Sequence, residues 1–293
     1  GDIRNCMVAM SQDETLLAKL FNYRFDSGRG LKGHSFGNLF LTAMTHLTGD
    51  FGHAVKLSAE VLAVAGRIYP STASNVVLQA TLADGQQVTG ETRISRSTQP
   101  IQKIQLLPRK VKPLMEALQA IENADVITLG PGSLFTSVIP NMLVSGIPKA
   151  IAKSKATKVY FANLMTQPGE TSGMTASQHV ESLLQHCGRH RREMIDVCVL
   201  NSGSLVSGAV KAYKAKQARP VEIDEQELRG LGLQLIEEDL VRMAGHKTQA
   251  HGTQIRIRHD SGAIGAITIE LAQQHRLRAN KAQGNRSRRN LDA

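Results

Sequence analysis

The 293 residues are 41% hydrophobic and 20% charged, enough apolar material for a full core, as one large domain or two small ones. With no Trp, four Tyr and seven Phe, the chain lacks the aromatic surface that single-stranded nucleic-acid binders stack bases on, so nucleic acid is not the expected partner. Half of the net charge of +10 falls between Arg276 and Ala293, where six basic residues accompany one acid, and the remainder is spread thinly enough to suit an anionic small ligand.

In chain order, "GDIRNCMVAMSQDETLLAKLFNYRF" carries apolar residues at helical spacing and predicts helices. Two more are predicted in "LKGHSFGNLFLTAMTHLTGDFGHAVKLSAEVLAV", joined near Gly49 and Asp50. At "NVVLQATLADGQQVTGETRIS" the period becomes two, and Asp84-Gly85 supplies the turn of an inserted β-hairpin or antiparallel edge. "KPLMEALQAIENADVITLGPGS" reads as a helix and then a buried strand. "KVYFANL" and "MIDVCVLNS" read as further strands, interleaved with the helical "ASQHVESLLQHC" and "SGAVKAYKAK". Strands alternating with helices predict an α/β fold: a Rossmann-like, mostly parallel sheet with flanking helices, because parallel neighbours need crossovers. One domain is expected over residues 1–275, and the polar, basic segment 276–293 is expected to be a disordered tail suited to acidic partners.

Three cysteines, Cys6, Cys187 and Cys198, show no zinc spacing and no disulfide framework, which predicts a reducing, cytoplasmic setting and no metal site. No apolar run approaches eighteen residues, so no membrane span is expected.

The turn Gly130-Pro131-Gly132-Ser133 falls between a predicted strand and a predicted helix, where open α/β sheets bind ligands. Glycine permits close approach, a helix start offers unpaired N–H groups, and Ser133, Thr136 and Ser137 add hydroxyls, so phosphate is one natural guest. A plain strand-to-helix turn with Ser133 as its cap is the other reading. Phe135 stands where a dinucleotide fingerprint needs its third glycine, and no Gly-Lys-Ser/Thr follows for a Walker loop. "GHSFGN" sets His34 and Asn38 four apart, on one face if a helix begins there, which suits phosphate or sugar hydroxyls; the alternative is a histidine that caps or packs. Asp2, Arg4 and Asn5 form a polar group ahead of an apolar helix, with Asp2 readable as an N-cap. "RIRHDS" offers a cationic fork around Arg258, or a solvated face. "QHCGRHRR" gathers His186, Cys187 and His190 but has no further ligand pair, so exposed residues are expected there. Asn201, at the end of "VCVLNS", reads as part of an ordinary turn or, alternatively, as a further wall of the same cleft.

In this order, "GDIRNC", "GHSFGNLFLTAM", "DVITLGPGSLFTSVIPNML", "NLMTQPGETSGMTASQHV" and "RHDS" closely resemble the bacterial YvcK family, also called gluconeogenesis factor, over residues 1 to about 273. That family is related to the 2-phospho-L-lactate transferases of coenzyme F420 synthesis. The resemblance implies a cytoplasmic protein that binds a uridine diphosphate sugar, UDP-N-acetylglucosamine or UDP-glucose, at its strand ends. It further implies a regulator that links carbon status to cell-wall growth and shape, with cell-wall synthesis proteins and other copies of the chain as partners. By the same resemblance the Gly130 to Ser137 loop is the phosphate loop, Asn163 lies near the cleft, Tyr213 and Arg258 contact the nucleotide sugar, and Ser261 falls where some relatives carry a phosphorylated threonine. No reaction is firmly assigned to the family. Were phosphoryl or nucleotidyl transfer to occur, Asp2 and His34 would be the acid/base candidates, with Mg²⁺ at the phosphates. Family members carry a glycine-rich first strand turn and an Asp-Gly-rich loop ahead of "GDIRN"; neither is in these residues, so a first βα unit is expected upstream.

Overall fold

In a computed structural model the structure describes residues 2–11, 16–248 and 252–289. Where the sequence reads as one domain over 1–275, contacts divide the chain into two units, residues 1–75 with 111–118, and residues 76–110 with 119–293.

The first unit holds α1 (Asp2–Met10), α2 (Leu16–Asn22), α3 (Phe36–Thr48) and α4 (Phe51–Val61). Ser35 caps α3 by accepting the Asn38 N–H, and Asp50 caps α4 by accepting the His53 N–H at 2.6 Å. Gly49 ends α3 in the left-handed conformation, which is why Gly-Asp makes the corner between them. Met7, Phe21, Leu41, Val55 and Leu62 form its core, with Phe36 and Phe40 both edge-on to Phe21. A helical segment with an apolar centre of its own needs no sheet to bury its faces.

The second unit begins with β1 (Val77–Leu82), β2 (Gln87–Thr89), the short α5 (Glu91–Ile94) and β3 (Ile101–Leu107). The expected hairpin is present, but it is no edge of the parallel sheet: β3 returns along β1 to make a separate antiparallel sheet in the order β2-β1-β3. Helix α6 (Met115–Glu122) leads to β4 (Val126–Leu129). There follow a π turn (Leu134–Val138), α7 (Ile139–Met142), α8 (Ile147–Lys153), β5 (Thr157–Phe161), α9 (Ala176–His186), a 3₁₀ turn (Gly188–Glu193) and β6 (Val197–Asn201). Then come α10 (Ser207–Lys214), α11 (Glu225–Gly230), β7 (Gln234–Glu238), β8 (Val241–Thr248), β9 (Gly252–His259) and α12 (Ser261–Arg289).

Strands β4-β5-β6-β7 form the parallel sheet in sequence order, with helical crossovers between them. The central strands β5 and β6 are buried almost throughout, as their short apolar runs require. By contrast β4, expected to be buried, is a half-buried edge strand because it has a neighbour on one side only. Val159, Phe161, Val197 and Val199 pack with Ala209 of α10 and Ile267 and Leu271 of α12. The polar stretch before "RHDS" becomes the antiparallel pair β8 and β9, which the sequence pattern did not reveal.

The segment expected to be a disordered tail instead continues α12 as far as Arg289. Its Ala, Arg, Lys and Gln residues are good helix formers with no proline to stop them, and Arg276 bonds Asp125 at 2.6 and 2.9 Å. Among the described residues no single helix is long and apolar enough to cross a membrane.

Candidate functional site

A cleft of about 750 Å³ opens at the carboxyl ends of β4 and β5, where open α/β sheets receive ligands. Pro131, Gly132 and Ser133 after β4 and Asn163 and Gln167 after β5 form one wall; Ala212, Tyr213 and Lys216 of the α10 region and Ile257, Arg258 and His259 of β9 form the other. Pro131, Gly132, Ser133, Asn163, Tyr213 and Arg258, each expected from the sequence, are therefore brought together.

The turn is not the Ser-capped one that the plain reading describes. Gly130 has φ +79° and supplies the left-handed residue that turns the chain out of β4, but it does not line the cleft. Ser133 makes no cap bond; its hydroxyl donates to Gln167 Oε1 at 2.8 Å. Asn163 donates from Nδ2 to the Gly132 carbonyl at 2.9 Å and accepts from the Tyr160 hydroxyl at 3.2 Å, so it holds the turn in shape.

Behind the wall lies Glu170, only 3% exposed. Its Oε1 accepts from Thr136 Oγ1 at 2.8 Å, Gln167 Nε2 at 3.1 Å and Ser95 Oγ at 3.2 Å, and its Oε2 accepts the Phe135 N–H at 3.2 Å. Burial raises the Glu170 carboxyl above its ordinary range, opposed by the hydrogen bonds from Thr136, Ser95 and Phe135. Two of the donors expected to meet a ligand phosphate, the Thr136 hydroxyl and the Phe135 N–H, therefore already hold an internal carboxylate, and Thr136 does not line the cleft. Gly169, one residue earlier, has φ +80°, and a Cβ there would stand 2.5 Å from the Ser95 carbonyl oxygen, so glycine is what lets this loop close on α5.

The opposite wall is cationic. Lys216 and Arg258 line it, neither side chain has an ion-pair partner among the described residues, and no lining residue is acidic. Arg242 on β8 stands directly across from Arg258 on β9, a like-charged cross-strand pair that an anion would relieve. Tyr213 turns its hydroxyl to the strand, accepting the Ile257 N–H at 3.2 Å, and so anchors β9 beside Arg258 while its ring lines the cleft. His259 Nε2 donates to the Ala162 carbonyl at 3.0 Å, and burial lowers its pKa, so it ties β9 to the end of β5 as a neutral ring.

Gln167 and Lys216 were not singled out from sequence, although each sits inside a quoted string, "NLMTQPGET" and "KAYKAK", while His259 belongs to the "RIRHDS" group read as a cationic fork. Among the described residues no carboxylate lines the cleft, and no group of three or more His, Cys, Asp and Glu is placed to share a metal. The lining side chains are therefore not a direct magnesium ligand set.

Other candidates stand elsewhere. Asp2 is the first residue of α1 and not its cap, and its side chain lies outside the described residues. His34 precedes the Ser35 cap, so it shares no helical face with Asn38; both are exposed. Asn38 lines a separate hollow of the first unit with Arg4, Leu41 and Thr45. Ser261 is exposed at the first turn of α12. In "QHCGRHRR" the arginines are exposed as expected, but Cys187 is buried and His186 Nε2 accepts the Ile104 N–H at 3.0 Å, closing part of the outer edge of β3. Asn201 holds its own turn, bonding Gly203 and accepting the Leu240 N–H at 3.0 Å.

Fold and site together define an α/β protein with a strand-end cleft whose one wall is a glycine turn and whose other wall is cationic. The family model described as 2-phospho-L-lactate transferase CofD matches residues 1–241, and the chain belongs to the CofD family. A Halalkalibacterium halodurans protein named gluconeogenesis factor is 46% identical over 242 residues, spanning 82% of this chain and 74% of that one. The gluconeogenesis factor of Bacillus subtilis is 41% identical over 274 residues, spanning 94% and 83%. A crystal structure of a Bacillus halodurans protein superposes with a TM-score of 0.83 at 40% identity, covering 92% of this chain and 83% of the other.

Proposed function

We propose that the chain is a cytoplasmic nucleotide-sugar-binding regulator that links carbon status to cell-wall growth, with a UDP-sugar such as UDP-N-acetylglucosamine or UDP-glucose in the strand-end cleft. The observation that carries this reading is that two cations without an ion-pair partner among the described residues, Lys216 and Arg258, share with a glycine turn a cleft that no acid among the described residues lines. Two cations suit a diphosphate, the Tyr213 ring suits the flat or apolar face of a nucleoside, and the polar turn suits a sugar. The gluconeogenesis factor name of the relatives favours a metabolic regulator. Ser261, three residues beyond Arg258 at the head of α12, is the modification site in this reading, and cell-wall synthesis proteins are the partners.

Calorimetric titration of the chain with UDP-N-acetylglucosamine tests it. Binding is expected, with an Arg258→Ala chain at least about tenfold weaker, or ~1.4 kcal/mol, for a charge-assisted phosphate contact. No heat at millimolar ligand overturns the proposal.

The transferase description of the matching family favours a second reading, group transfer from a phosphorylated substrate. Mass spectrometry after incubation with nucleotide sugars, GTP and phosphorylated hydroxy acids decides it, since unchanged substrates retire transfer.

A further inference from the structure

We propose that Glu170, acting through Gln167, fixes the Ser133 hydroxyl as a hydrogen-bond acceptor toward the cleft, so that Ser133 receives an O–H or N–H of the ligand and not a phosphate oxygen. The inference follows from counting donors. In its ionised form, which is part of the proposal, Glu170 only accepts, and it is met by the Phe135 N–H, two hydroxyls and the Gln167 side chain. Gln167 must therefore turn its NH₂ group to Glu170, because its carbonyl there would set two acceptors against each other in a buried site. The Gln167 carbonyl is left facing Ser133. Serine has one O–H, and it is committed to that carbonyl at 2.8 Å. What Ser133 Oγ can offer the cleft is lone pairs.

A phosphate oxygen at neutral pH is also an acceptor, so it gains nothing at Ser133 and is directed to Lys216 and Arg258 on the opposite wall. A sugar or ribose hydroxyl, or an amide N–H, is the group that Ser133 fits. At the helix start behind it, Glu170 already occupies the Phe135 N–H, which is therefore not offered to a phosphate. Glu170 is thus a positioning residue: it never reaches the cleft, yet it sets the polarity of a group that does.

The ligand half of this inference rests on the nucleotide-sugar reading; the relay does not. Two measurements separate them. Difference infrared spectroscopy of the chain against Glu170→Gln is expected to show the bands of an ionised carboxylate at neutral pH. The band of a protonated buried carboxyl overturns the relay, whatever binds. Calorimetry then compares UDP-N-acetylglucosamine with inorganic pyrophosphate, which carries no sugar, ribose or amide donor. Ser133→Ala is expected to weaken the nucleotide sugar about tenfold and pyrophosphate less than about twofold. Glu170→Gln, which lets Gln167 reverse and frees the Ser133 O–H, is expected to weaken the nucleotide sugar and tighten pyrophosphate. An equal loss of both ligands in Ser133→Ala shows a phosphate contact and overturns the proposal. Should Glu170→Gln fail to fold, Ser133→Ala, at a half-buried position, still decides the ligand contact, and a ¹³C-glutamate-labelled chain gives the infrared result without a variant. If the unaltered chain gives no heat with UDP-N-acetylglucosamine, the nucleotide-sugar reading fails, while the infrared result still decides the relay.

Discussion

Ser133, Gln167 and Asn163, on the turn side of the cleft, direct their polar atoms to the protein itself, whereas Lys216 and Arg258 on the other side have no ion-pair partner among the described residues. The turn wall is held by hydrogen bonds that converge on a buried carboxylate and on the Gly132 carbonyl. The cationic wall is held by its backbone: Tyr213 grips the Ile257 N–H and His259 grips the Ala162 carbonyl, leaving the neighbouring charges unpaired. The difference separates rigidity from affinity. Changes on the first wall should act mainly on stability and on which group is recognised; changes on the second should act mainly on binding.

Glu170→Ala is the strongest test. It strands several buried donors at once and is expected to cost about 3 kcal/mol or more in chemical denaturation. A loss below about 1 kcal/mol would mean that the turn wall does not depend on its carboxylate. Gly169→Ala comes next, at about 2 kcal/mol, because it combines a left-handed backbone with a methyl group forced onto the Ser95 carbonyl. On the opposite wall, Lys216→Ala is expected to weaken UDP-N-acetylglucosamine several-fold while leaving the melting midpoint in place; a large fall in that midpoint would erase the distinction between the walls.

A pH effect sharpens the comparison away from the cleft. His186 donates from Nδ1 to the Ser182 carbonyl and accepts the Ile104 N–H at Nε2, so it is held neutral, and burial lowers its pKa below that of an unfolded histidine. As pH falls below about 6.5 the unfolded chain gains a proton that the folded one resists, so stability falls with pH. His186→Gln should flatten that slope in denaturation series between neutral and mildly acidic pH; an unchanged slope would assign it to His179 and His259, which burial also lowers. The smallest effect is expected from Arg276→Ala, an exposed ion pair with Asp125, which should leave the melting midpoint unmoved.

Much of this was legible in the sequence because it was local. Short apolar runs marked β5 and β6, Asp84-Gly85 marked the first hairpin, and the glycines of "GPGS" marked a turn at a strand end, since period and turn chemistry are written within a few residues. Where a neighbour mattered, local pattern misled: β4 reads like its buried companions yet lies at an edge, and Thr136 reads as a ligand hydroxyl yet faces Glu170. The basic end of α12 reads as disorder by charge alone, while its helix-forming residues carry the helix onward.

From the sequence alone came the α/β class, the strand-end turn and, by resemblance, the residues Tyr213 and Arg258, all properties of contiguous strings. Only the tertiary structure decided which wall presents charge and which is closed on itself. Glu170 gathers Ser95, Phe135, Thr136 and Gln167 from three segments dozens of residues apart. A buried carboxylate is defined by the donors that surround it, and chain order does not record where those donors meet.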